Sequence, residues 1–178
     1  MTVKTIKNEQ WYINDLINRI DNGLITKPKF QRKKKWDILP KKDNIPNEQS
    51  YIQFLYDTEN SVHAITFGQE TKSQNLYYSN IDGNNRINAI KHFMDMPFEI
   101  FPNYLNSLNK FIDNIKINDE NKGLLKNIFG KLSYNEIVNF KYHKYFIDKG
   151  HLELYNKTLK IFRDEFEPEI EKIQENFK

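Results

Sequence analysis

Asp82, Gly83, Asn84, Asn85 and Arg86 stand where a β-rich run, Leu76 to Ile81, gives way to a helical pattern. Residue types in that order suit an anion. A glycine lets the backbone turn tightly and approach a ligand, the first turn of a new helix offers N–H groups without helical partners, and its positive dipole end favours phosphate. Arg86 adds a guanidinium from the first helical turn, while Asp82 can hold a metal ion or orient a water. The same five residues also read as an ordinary Asp-Gly turn capped by Asn84, with Arg86 on the surface.

A second group lies upstream: Pro28-Lys29-Phe30-Gln31-Arg32, with Trp36 four residues after the arginine. Only four of the 27 basic residues are arginine, at 19, 32, 86 and 163. A guanidinium between a fixed proline and an aromatic offers the planar fork that bidentate phosphate or carboxylate recognition uses; a surface arginine in a basic loop is the other reading. From Lys27 to Lys42 there are eight basic residues against the single acid Asp37. Lys29, Lys33, Lys34 and Lys35 in that stretch are candidates for tracking nucleic-acid phosphates. The whole chain is nearly balanced, with a net charge of +3, so lysines elsewhere read as ordinary solvated surface.

Trp11, Ile13, Leu16, Ile17 and Ile20 recur at near-helical spacing and Asp21-Asn22-Gly23 stops them, which predicts a helix over 10–22. Leu24 to Phe30 reads as a short extended segment, since Pro28 fixes its own φ and pushes Lys27 out of the α region. A second helix is expected around Tyr51 to Asp57, then strands over Val62–Phe67 and Leu76–Ile81 joined across a polar turn from Gly68 to Asn75. The helix after the turn carries Ile87, Ile90, Phe93 and Met94, and the remainder reads as helices over Tyr104–Ile117, Gly123–Phe129, Ser133–Phe146 and a charged stretch from Leu152. In that last stretch Tyr155, Leu159, Phe162, Phe166, Ile170, Ile173 and Phe177 form a stripe broken by Pro168, better suited to packing on the domain than to a coiled-coil seam. Of Tyr77 and Tyr78, strand alternation sends only one to a given face, where core packing competes with stacking on a base.

The segment Leu16 to Trp36, LINRIDNGLITKPKFQRKKKW, resembles the start of the GmrSD-type restriction-enzyme N-terminal domains, in which a helix, a small-residue stop, a proline, Gln-Arg and a tryptophan follow in order. IDGNNRINAIKHF resembles that family's DGQQR motif and its following helix, and the two together span roughly residues 10–95. These domains belong to the ParB/sulfiredoxin-like group. The resemblance implies a small α/β (α+β) domain, a mixed sheet with flanking helices over residues 1–96, and the helical pattern after Pro97 adds an all-helical extension over 97–178. It also implies a nucleoside triphosphate with Mg²⁺ as cofactor and, in several members, hydrolysis that drives recognition or cutting of modified DNA. By motif position Gln31, Arg32, Gly83 and Arg86 would hold the nucleotide, Asp82 the metal, and Asp82, Asn84, Asn85 and Arg86 would serve hydrolysis. Asn84 and Asn85 stand where the family has glutamines, one methylene shorter in reach, which puts turnover more at risk than binding. Restriction members carry a further domain, often a His-Asn-His nuclease, which nothing in this sequence supplies. A non-catalytic ParB-like DNA-binding module using the Lys27–Lys42 segment is the alternative, and a regulatory fragment acting through the helical half is a third.

There is no cysteine, which removes disulfides, thiolate metal sites and cysteine nucleophiles, sulfiredoxin chemistry included. His63, His92, His143 and His151 are scattered without metal-ligand spacing, and each reads first as a structural or surface histidine. No run of about 18 apolar residues occurs and the first residues lack an apolar signal core. An intracellular protein that does not span a membrane, with DNA as partner and no defined oligomeric state, is the expectation.

Overall fold

The computed structural model of the chain describes residues 11–29, 36–41, 45–57, 65–72, 75–139 and 167–177. The first helix, α1 (Ile13–Asp21), turns Leu16 inward, with Trp11, Ile17 and Ile20 packed against the core. A Schellman closure ends it: Gly23 at φ +68° donates to the Ile20 carbonyl at 3.0 Å and Leu24 to that of Arg19 at 2.8 Å. The chain leaves this stop as β1 (Ile25–Thr26), only two residues long, because Pro28 follows.

Strands β2 (Thr66–Lys72) and β3 (Asn75–Asp82) form an antiparallel hairpin, and β1 lies parallel to β3 on its other side, giving the order β1-β3-β2. Ile25 is paired with Tyr78 and Gln69 with Tyr78 across the two ladders. Tyr78 is buried, edge-on to Trp11 at 4.8 Å, and Trp11 stacks on Phe67 at 5.1 Å. Tyr78 is thus the inward member of the tyrosine pair. β2 falls later than the hydrophobic run predicts: residues 68–72, expected as a polar turn, are strand. Residues 68–72 hold no apolar side chain and keep their place by ladder pairing with β3, which hydropathy does not reveal. The expected strand residues 62–64 lie outside the described residues.

β3 runs through Gly83 into α3 (Asn84–Asp95), against which α2 (Glu48–Asp57) packs. α2 begins three residues before the apolar cluster predicts, because Asn47 caps it: its Oδ1 accepts from the Ser50 N–H at 2.8 Å. The amides of Glu48 and Gln49 donate to the carbonyls of Asp37 and Ile38 at 2.9 and 3.0 Å, so the 36–38 segment is strapped over the helix start.

Helices complete the fold. Pro97 and Pro102 open α4 (Pro97–Ile100) and α5 (Pro102–Asn114), at positions where a missing N–H costs nothing. α6 (Asp119–Gly130) starts four residues before the expected Gly123, capped by the Asn118 side chain at 2.9 Å. α7 (Tyr134–Val138) opens on a reciprocal Ser133–Glu136 capping box. α8 (Glu167–Phe177) buries Ile170, Ile173 and Phe177, one face of a helix packed on the domain. One hydrophobic cluster runs from Leu16 to Phe177 through all of these helices, so the mixed sheet with flanking helices and the helical remainder share a core. No described helix is long and apolar enough to cross a membrane.

Candidate functional site

The β3–α3 junction turns on Gly83, which sits at φ +98° and is buried. A Cβ there would approach the Ile65 side chain to 3.0 Å, so both the backbone angle and the space call for glycine. The helix cap is Gly83 itself, with no side-chain cap hydrogen bond, and Asn84 is the first helical residue. That corrects the reading of an Asn84-capped turn: an amide one position inside the helix cannot take the cap geometry. Asp82 is exposed at the end of β3, and Asn84, Asn85 and Arg86 are half-buried in the first turn of α3. The Ile87 N–H donates to the Gly83 carbonyl at 2.9 Å, closing that turn.

Arg86 reaches the neighbouring helix electrostatically. Burial raises the pKa of the Tyr51 hydroxyl, and the positive charge of Arg86 pulls it the other way. The Tyr51 ring also meets Trp36 at 5.4 Å with a 59° tilt. Trp36 follows the Gln-Arg pair in sequence, and through Tyr51 it packs on α2, which in turn packs on α3. Gln31, Arg32, Lys33, Lys34 and Lys35 lie outside the described residues. Lys27 and Lys29 are described and exposed.

Asp82 is the carboxylate available to a metal at this turn, and among the described residues no group of three or more metal-ligating side chains occurs. A lone exposed carboxylate suits Mg²⁺, which keeps several waters and takes its other ligands from substrate phosphates. It does not suit a metal held wholly by protein.

Sequence reading missed Tyr51 and three buried polar residues, Asn47, Glu48 and Asn80. Asn80 is buried in β3, and the ladder register shifts between it and the exposed Asp82: Phe67 pairs with Asn80 and Thr66 with Asp82. Glu48, 0% exposed, is ion-paired with His92 Nδ1 at 2.5 Å, while His92 Nε2 meets the exposed Glu99 at 3.0 Å. His92 is therefore a structural histidine that ties α2, α3 and α4 together. No local signal marks Glu48, because its partner lies 44 positions away. A shallow pocket of about 180 Å³ lies elsewhere, along the strap, lined by Asp37, Leu39, Lys41, Ile45, Pro46 and Asn47.

Compared with protein-family models, with curated proteins and with solved structures, the chain gives no match to any of them.

Proposed function

We propose that the β3–α3 turn binds the phosphates of a nucleoside triphosphate with Mg²⁺, and that the chain hydrolyses it as part of a restriction-type system sensing modified DNA. The observation that carries this reading is the junction itself: a left-handed glycine with no room for a side chain, an exposed Asp82 before it, and Arg86 in the first turn of the helix after it. Helix N-termini with glycine approach bind phosphate through backbone N–H groups and the helix dipole. Arg86, with Gln31 and Arg32 contributed from the other motif, supplies positive charge; Asp82 supplies the metal carboxylate. By their place in the motif Asn84 and Asn85 are assigned to orient the attacking water.

The test is a titration of the full chain with each nucleoside triphosphate plus Mg²⁺, with phosphate release, on wild type and Arg86→Ala. The variant is expected to keep its helical circular dichroism and lose nucleotide binding and turnover. Wild-type affinity in Arg86→Ala overturns the assignment.

A second reading, a non-catalytic DNA-binding module, draws on the local excess of seven positive charges between Lys27 and Lys42, whose described members Lys27, Lys29 and Lys41 are exposed, Lys41 being paired with Asp37. It predicts DNA affinity that falls steeply with salt. Replacing Lys33, Lys34 and Lys35 together by Gln should flatten the log–log salt slope by about 2 to 3, and an unchanged slope speaks against it.

A further inference from the structure

Tyr77 and Tyr78 are neighbours on β3, and the pleat sends them to opposite faces of the sheet. Tyr78 is closed in from the α1 side, where Trp11 and Phe67 meet its ring at 4.8 and 6.1 Å and the Arg19 guanidinium lies 5.1 Å from it. Tyr77 faces the other way and is only half-buried, and among the described residues no other ring meets it. The register fixes what surrounds it. Ser79, two residues on, shares its face, and the ladders set Thr26 of β1 and Gly68 of β2 on either side of Ser79. The Thr26 and Ser79 hydroxyls stand 3.5 Å apart, as residues on one face do. Thr26 is exposed, while Ser79 and Gly68 are half-buried. A sheet face built to receive a second apolar layer carries large apolar residues on every strand; here one aromatic ring is set beside two hydroxyls and a residue with no side chain. The chain leaves Thr26 through Lys27, Pro28 and Lys29, and both lysines are exposed at the β1 edge of the same sheet.

We propose that this face of the sheet is a stacking platform for single-stranded DNA, with the Tyr77 ring under one base and Lys27 and Lys29 on the flanking phosphates. An unpaired base offers a flat π face that a tyrosine ring covers, and its polar edge is met by the Thr26 and Ser79 hydroxyls. Two cations at the edge select a polyanion over an uncharged aromatic ligand. Neighbouring strands lie about 4.8 Å apart, so the row from Thr26 through Ser79 to Gly68 spans about 10 Å, the size of one base with its sugar. In a duplex the bases stack on one another and close that face to a tyrosine, so the platform selects single strands. Tyr77 lies about 17 Å back along β3 from Asp82, at about 3.4 Å per residue. The platform therefore needs no nucleotide at the β3–α3 turn, and from the basic segment it uses Lys27 and Lys29 alone.

The experiment is a fluorescence-anisotropy titration of an oligothymidine of about 12 nucleotides, and of a duplex of equal length, with the full-length wild type, Tyr77→Phe, Tyr77→Leu and a variant carrying both Lys27→Gln and Lys29→Gln, with a thermal melt of each. The wild type is expected to bind the single strand. Tyr77→Phe keeps the ring and is expected to bind it as the wild type does. Tyr77→Leu keeps apolar bulk without the π face, and is expected to bind it about tenfold more weakly with no change toward the duplex. A tyrosine that serves only the fold would lower the melting temperature in Tyr77→Leu and either leave affinity alone or weaken single strand and duplex alike, and either result overturns the proposal. Removing the two lysine charges is expected to flatten the log–log salt slope for the single strand by about 1.4; an unchanged slope also overturns it. A wild type that does not bind the oligothymidine removes the platform and leaves the phosphate turn, and duplex binding by the rest of the basic segment, standing. Should Tyr77→Leu not fold, Thr26→Glu replaces it: a carboxylate at the exposed end of the platform is expected to weaken single-strand binding about threefold at low salt, and wild-type affinity in that variant overturns the proposal.

Discussion

At the scale of single residues the β3–α3 junction depends most on Gly83. Its φ of +98° lies where side chains are strained, and the nearest atoms to an added Cβ belong to branched Ile65, which has little freedom to withdraw. Gly83→Ala is expected to destabilise the fold by about 1–3 kcal/mol, measurable by urea unfolding, and to weaken any phosphate binding at the turn. Gly23→Ala is the control: its φ is also positive, but nothing lies within 4 Å, so only the backbone term applies and phosphate binding is unaffected. The need for Gly83 was legible in the sequence, because an Asp-Gly pair between an apolar run and a helical pattern is a local signal. Tyr51, Glu48 and Asn80 were not legible. Their importance comes from burial beside residues distant in the chain, and a lone polar residue in an apolar stretch carries no sign of its partner.

Among elements, the sheet and the helices were read with different success for a physical reason. α1, α3, α5 and α8 announce themselves through 3.6-residue apolar spacing, and α7 through a capping box visible as Ser-x-x-Glu. β2 does not, since Gly68-Gln69-Glu70-Thr71-Lys72 holds its place by ladder hydrogen bonds to β3 and not by an apolar face. The orientation of the elements toward one another rests partly on a polar lock, His92 between Glu48 on α2 and Glu99 on α4. Removing the imidazole strips a hydrogen-bond partner from a carboxyl group that is wholly buried, whereas Glu99 is half in water and replaceable by it. His92→Ala is therefore expected to cost about 2 kcal/mol, and Glu99→Ala no more than about 1 kcal/mol. Chemical denaturation of the two variants checks the asymmetry; equal losses would mean that the buried carboxylate is held by its other contacts and that His92 is dispensable. Because Arg86 and His92 share α3, loss of the lock should also soften the nucleotide binding proposed for the β3–α3 turn without abolishing it.

Over the whole molecule, the last described residue gathers the fold. Phe177 is 1% exposed, and its ring meets Phe93 of α3 at 5.6 Å and Tyr104 of α5 at 5.4 Å. Its carbonyl accepts from the hydroxyls of Tyr56 on α2 at 3.1 Å and Tyr134 on α7 at 3.0 Å. The apolar stripe that brings α8 to the core could be seen in the sequence; the aromatic socket that receives it could not, being assembled from four separate helices. This socket gives the fold an alkaline limit. Burial, reinforced by Tyr134, holds the Tyr56 pKa well above its ordinary value near 10. In the unfolded chain Tyr56 loses its proton around pH 10, while in the folded chain it keeps it, so rising pH favours unfolding. The stabilisation is complete below pH 10 and is lost as pH climbs through the folded value. Tyr56→Phe removes that proton difference along with one hydrogen bond. It is expected to cost about 1 kcal/mol at neutral pH and then to lose stability above pH 10 less steeply than wild type, by a margin that solvent screening reduces because Tyr56 is 37% exposed. Tyr51, also raised by burial, stays in both proteins and cancels in the comparison. Urea midpoints at pH 8, 10.5 and 11.5 for the two proteins decide it: converging stabilities on the alkaline side place the limit in the socket, and parallel declines place it elsewhere.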